Sequence, residues 1–113
     1  MQKIIIYHNA HCSKSRETLE LLHAKGFTPI IIEYLKTPLD REQLNTLRSY
    51  FDLKDFVRTN ETVFKSLGLT LDNEEQLLNA MVKNPILMQR PIVTYNGQAI
   101  IGRPPEKVLE LFD

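Results

Sequence analysis

Apolar and polar positions follow two rhythms along this chain, and each change of rhythm marks a new element. Lys3 to Tyr7 is apolar on both faces, which fits a central strand covered on each side rather than an edge with one wet face. From Ser13 to Lys25 the apolar residues, Leu19 and Leu22 among them, recur at helical spacing until Gly26 ends the run. Pro29 to Tyr34 returns to strand character with a run of isoleucines. Strand, helix and strand in so short a compass predict a right-handed crossover between two parallel strands. Thr37 to Asn84 then reads as helical, with one stripe at Leu44, Leu47 and Phe51 and another at Leu77, Leu78, Met81 and Val82, the second opened by Asn73 as a cap. After Pro85, Ile92 to Tyr95, Asn96-Gly97 and Gln98 to Ile101 predict a hairpin, because Asn-Gly accepts the positive φ angles of a type I′ turn. A last helix is expected from Pro105 to Phe112.

Together these elements predict an α/β fold: a mixed four-stranded sheet with flanking helices, thioredoxin-like in topology. A helical insert at about 37–84 separates its second and third strands. A chain of 113 residues can bury one core, so a single domain over 1–113 is expected. Its 14 basic and 14 acidic residues leave no net field to draw it to nucleic acid or an anionic membrane, and neither is expected as a partner. No apolar run has the length of a membrane span or the flanks of a signal peptide. The single cysteine lacks a disulfide partner, which fits a reducing compartment and a cytoplasmic location.

That cysteine, Cys12, stands where the first strand gives way to the first helix. Such a junction aims backbone N–H groups and the positive end of the helix dipole at the sulfur. A lone cysteine is commonly a small buried hydrophobe. Here the following residues are Ser13, Lys14, Ser15 and Arg16, polar and cationic company that suits a thiolate nucleophile. One Cys and three His in all do not make a metal-ligand set, and no metal is expected.

Three further arginines, Arg58, Arg90 and Arg103, lie in segments that read as loops or element ends. Each alone has the ordinary reading of a solvated surface charge. Arg90 precedes the hairpin strand expected beside the first strand, and Arg103 precedes the last helix, so both can return to the edge that holds Cys12. Guanidinium forks match tetrahedral oxyanions, and the combination points to thiol chemistry on an oxyanion.

Four motifs carry a resemblance: His8-Asn9-x-x-Cys12-x-x-Ser15-Arg16; Arg58-x-Asn60-Glu61, continuing to Leu67-Gly68-Leu69; Asn84-Pro85-Ile86-Leu87-x-x-Arg90-Pro91-Ile92-Val93; and Gly102-Arg103-Pro104-Pro105-Glu106. In this order and nearly end to end, the chain resembles the glutaredoxin-dependent arsenate reductase family. The resemblance implies an oxidoreductase that reduces arsenate to arsenite. Cys12 would be the nucleophile, and Arg58, Arg90 and Arg103 would bind the oxyanion. Beside the resemblance, the helix dipole, the Ser15 hydroxyl and nearby Lys14 or Arg16 are expected to stabilise the thiolate, with His8 assisting. No bound cofactor is implied; glutathione is the expected co-substrate and glutaredoxin the expected protein partner. By resemblance to the proline before the third strand of thioredoxin-like folds, the Arg90-Pro91 bond is expected to be cis. Two other readings accompany this one: a glutathione-dependent thiol oxidoreductase of glutaredoxin type, and a redox-sensitive adaptor like the Spx-type regulators. The regulators typically carry a C-x-x-C pair, and the second position here is Ser15.

Overall fold

The computed structural model describes residues 3–113. Strands β1 (Ile5–Tyr7), β2 (Ile30–Ile32), β3 (Ile92–Tyr95) and β4 (Gln98–Ile101) form one sheet in the order β2-β1-β3-β4. β1 runs parallel to β2, pairing Ile6 with Ile31, and antiparallel to β3, pairing Ile6 with Val93. The strand that reads as apolar on both faces is therefore an inner one, and Ile6 and Val93 are wholly buried. β2 lies at the edge of the sheet and leaves Ile30 and Ile31 nearly half exposed. Both strands of the crossover are shorter than their apolar runs, because pairing, not hydrophobicity, sets where a ladder ends.

Helix α1 (Ser13–Ala24) returns the chain from β1 to β2 and buries Ser15, Thr18 and Leu22. β3 and β4 are joined through Asn96 at φ 53 and Gly97 at φ 73, the left-handed pair that a two-residue turn requires. The closing segment, Pro105–Phe112, is a 3₁₀ helix rather than an α-helix. Its buried residues Pro105, Val108 and Leu111 recur every third position, which puts them on one face at three residues per turn. Pro104 and Pro105 donate no N–H, and Lys107 N–H bonds back three residues to the Pro104 carbonyl at 3.1 Å.

The chain divides into two compact units: the segment up to Thr37 together with Arg90–Asp113, and Pro38–Gln89. The first holds the sheet, α1 and the 3₁₀ segment around a core of Ile6, Leu22, Val93, Val108 and Leu111. Phe27 stacks on Phe112 beside that core with ring centroids 4.3 Å apart. The second holds α2 (Arg41–Arg48), α3 (Leu53–Phe56), α4 (Thr62–Ser66), α5 (Glu74–Lys83) and a short 3₁₀ turn at Pro85–Leu87. α2 opens with a capping box between Asp40 and Gln43, and α5 with Asn73 accepting from Gln76 N–H at 3.1 Å. Leu44 and Leu47 of α2, with Leu77, Leu78 and Met81 of α5, are the buried faces read from the sequence. Arg41 and Arg48 reach across to Glu75 and Glu74. One isolated antiparallel bridge, Val57 to Met88, interrupts this helical unit.

Gly102 ends β4 under a tight constraint. A Cβ placed there would stand 2.7 Å from Thr18 Oγ1 and 2.9 Å from Pro91 Cγ. Both neighbours are buried, so the added carbon has no free volume to enter. Gly102→Ala is expected to cost about 1–3 kcal/mol, read as a lower midpoint in urea unfolding with an unchanged slope. A midpoint equal to that of the unmodified protein would mean that α1 gives way freely at Thr18.

Candidate active site

Between β1 and α1 the chain makes one turn, built around Asn9, which is 7 % exposed. Its side-chain Oδ1 accepts from His11 N–H at 3.0 Å, and its carbonyl accepts from Cys12 N–H at 3.0 Å. Its own N–H donates to Ser15 Oγ at 3.0 Å. Three bonds from one residue thus set the path of the loop and deliver Cys12 to the N-cap of α1, where Arg16 N–H bonds to its carbonyl at 3.0 Å. Asn9 is a site residue that the chemistry of the motif did not single out; the signal for it is the habit of Asn to bond its own backbone two residues on.

Ser15 Oγ also lies 2.9 Å from His8 Nδ1. Burial, the largest influence, holds His8 below the ordinary histidine value; Glu33 opposes this and Arg16 adds to it. The neutral imidazole and the hydroxyl therefore share one hydrogen bond beneath the loop. Ser15 reaches the sulfur through its backbone N–H rather than through this engaged hydroxyl. Arg16 donates from Nη1 to the Ala10 carbonyl at 2.9 Å and so ties the first turn of α1 to the loop.

Two of the three arginines meet the thiol within the first unit. Arg103 Nη2 approaches Cys12 Sγ at 3.5 Å, and Arg103 Nε donates to the Arg90 carbonyl at 2.8 Å. The Arg90-Pro91 bond is cis, as expected, and so is Arg103-Pro104. Burial, the largest single influence on Cys12, pushes its thiol up. The Arg90 guanidinium, the Ser15 N–H and the Lys14 N–H together outweigh burial and leave it below the ordinary thiol value. No full cap hydrogen bond reaches Sγ, so these N–H groups act mainly as the positive end of the helix. Alkylation of Cys12 by iodoacetamide is expected to rise with pH through an inflection below the free-thiol value of about 8.5. An inflection at or above that value would mean that burial wins and that the site does not activate the sulfur.

Arg58 belongs to the second unit. Its backbone N–H bonds to the Leu87 carbonyl at 2.7 Å beside the Val57–Met88 bridge. Its Nε donates to Glu61 Oε1 at 2.9 Å and its Nη1 to Gln89 Oε1 at 3.1 Å. Among the described residues no group of three or more His, Cys, Asp or Glu side chains gathers as a metal site, and no helix is long and apolar enough to cross a membrane.

The family model described as the ArsC family matches residues 7–111. An uncharacterized Escherichia coli protein, YfgD, is 47 % identical, with 97 % of each chain covered. An arsenate reductase of Haemophilus influenzae is 44 % identical over 96 % of this chain and 97 % of its own. Among solved structures, an arsenate reductase from Vibrio cholerae superposes with a TM-score of 0.90 at 43 % identity, covering 97 % of this chain and 98 % of its own. The matched range includes Cys12, Arg58, Arg90 and Arg103, and the chain belongs to the ArsC family.

Proposed function

We propose that this protein is an arsenate reductase in which Cys12 is the nucleophile and glutathione the second thiol. The observation that carries the reading is the Cys12 sulfur at the N-cap of α1 with Arg103 Nη2 at 3.5 Å, its thiol drawn below the ordinary value by Arg90. Two guanidinium groups next to a thiolate supply what a doubly charged tetrahedral oxyanion needs in order to approach an anionic nucleophile. Arg58 takes the third place in oxyanion binding by its family resemblance.

In the first step the thiolate attacks As(V), a sulfur–arsenic bond forms, and hydroxide leaves to be protonated to water. Glutathione thiolate then attacks the Cys12 sulfur. The sulfur–arsenic bond breaks with its electron pair left on arsenic, which departs as arsenite, and Cys12 remains as a mixed disulfide with glutathione. Glutaredoxin takes the glutathionyl group and frees the thiol. The reaction consumes reduced glutathione, which assigns it to the cytosol.

The test is arsenate-dependent oxidation of NADPH in a mixture of the protein, glutathione, glutaredoxin and glutathione reductase. Oxidation that starts on adding arsenate and stops on omitting glutathione is expected. Oxidation that needs a small disulfide in place of arsenate would move the assignment to a glutaredoxin-type thiol oxidoreductase.

A further inference from the structure

The second motif ends in Asn60-Glu61, and oxyanion chemistry gives this acidic half no part to play, since a carboxylate beside an anion-binding arginine weakens the attraction for the anion. Glu61 stands at the N-cap of α4, yet its side chain makes no cap hydrogen bond to that helix. It turns back three residues to Arg58 Nε at 2.9 Å, with about a quarter of each side chain exposed. Gln89 takes Arg58 Nη1 at 3.1 Å from another segment. The two segments are locked in register around the Val57–Met88 bridge, by Arg58 N–H to the Leu87 carbonyl at 2.7 Å and Gln89 N–H to the Phe56 carbonyl at 2.8 Å. In that pairing Gln89 is the diagonal neighbour of Arg58, within reach of a long side chain. The second and third sequence motifs thus meet at one guanidinium.

We propose that Glu61 and Gln89 are positioning residues that fix the plane of the Arg58 guanidinium for arsenate; this rests on the assignment of Arg58 as an oxyanion ligand. Bonds at Nε and Nη1 hold a planar group at two points and stop its rotation about the last side-chain torsion, and neither of these two bonds uses Nη2, the donor assigned to an oxyanion oxygen. A fixed fork loses little freedom on binding, and that gain exceeds the electrostatic penalty of the nearby carboxylate.

The charge gives the two explanations opposite signs. If Glu61 is only a surface ion pair, Glu61→Ala removes a negative charge and the KM for arsenate falls or stays level. If it positions Arg58, Glu61→Ala raises that KM by roughly tenfold with kcat within about twofold, the pattern of lost uniform binding. Glu61→Gln keeps the accepting oxygen and drops the charge, so it is expected to restore the KM to the unmodified value or below. Gln89→Ala, which leaves the backbone bridge intact, is expected to raise the KM about threefold by the loss of one charge-assisted bond.

A second measurement needs no turnover. The Arg58 Nε–H signal in a ¹⁵N spectrum is expected to exchange slowly with water in the unmodified protein and in Glu61→Gln, and fast in Glu61→Ala. A signal unaltered by Glu61→Ala, or a KM that falls in that variant, overturns the positioning role. A KM unchanged in Arg58→Ala overturns instead the oxyanion assignment on which it rests, and the two failures are told apart by that arm.

Discussion

Cys12→Ser is expected to abolish arsenate turnover, a loss of roughly a thousandfold or more, because a serine hydroxyl is a far weaker acid than a thiol and a weak nucleophile at its free pKa, and no other thiol exists in the chain to replace the sulfur. Electron counting sharpens the expectation. Reduction of arsenate to arsenite takes two electrons, and a chain with one cysteine cannot close an internal disulfide. The protein mixed with arsenate alone should complete no cycle, whereas added glutathione should start turnover and leave a glutathionylated Cys12 in the absence of glutaredoxin. Intact mass spectrometry reads both states. Multiple turnover without an external thiol, or activity retained in Cys12→Ser, would overturn the mechanism. Folding should be little changed, since serine fits the space of cysteine at an N-cap and is a preferred residue there.

Arg90→Met carries the second large effect. Arg90 is the main influence holding the Cys12 thiol down, through both a hydrogen bond and its charge, while burial pushes the thiol up. With the guanidinium gone, burial is opposed by the N–H groups of Ser15 and Lys14 and by Arg103 Nη2 at 3.5 Å, without the largest of the lowering influences, so the thiol moves upward and less thiolate is present at neutral pH. Loss of one charged donor at the reacting centre is expected to lower kcat/KM for arsenate by roughly 10²–10³-fold at pH 7. Because part of that loss is protonation, activity should recover in part as pH rises through the new thiol value, and the alkylation inflection should move up with it. Arg90→Lys separates charge from geometry: it should keep most of the thiol shift yet lose arsenate affinity, since an ammonium lacks the planar fork. An alkylation profile unchanged in Arg90→Met would mean that the helix end and Arg103 activate the sulfur without Arg90.

Much of this molecule is legible along the chain because its signals are local. The Asn96-Gly97 turn follows from which residues accept positive φ, and β3 and β4 occupy the runs Ile92–Tyr95 and Gln98–Ile101 read on either side of it. α1 starts at Ser13 because the polar stretch after Cys12 suits a first turn, and α5 opens at Asn73 by the bond its side chain makes to Gln76. The short helices α3 and α4 have four and five residues, too few for apolar spacing to resolve them as separate elements. The final segment reads from the sequence as a helix of unspecified kind; its buried positions at intervals of three belong to the tighter 3₁₀ form.

By itself the sequence determined that a lone cysteine would stand at a strand-to-helix junction, with arginines at element ends later in the chain, because junctions and caps depend on residues a few positions apart. Only the tertiary structure decided what those side chains do. Arg103 reaches Cys12 across 91 residues of sequence, and the Ser15 hydroxyl turns to His8 while its N–H is left for the sulfur. Glu61 and Gln89 meet on Arg58 only because a single bridge brings two distant segments into register. Spacing along a chain specifies which face a residue occupies. Which donor meets which acceptor is set by the packing of segments far apart in sequence, where each buried polar group must find a partner among those the fold delivers.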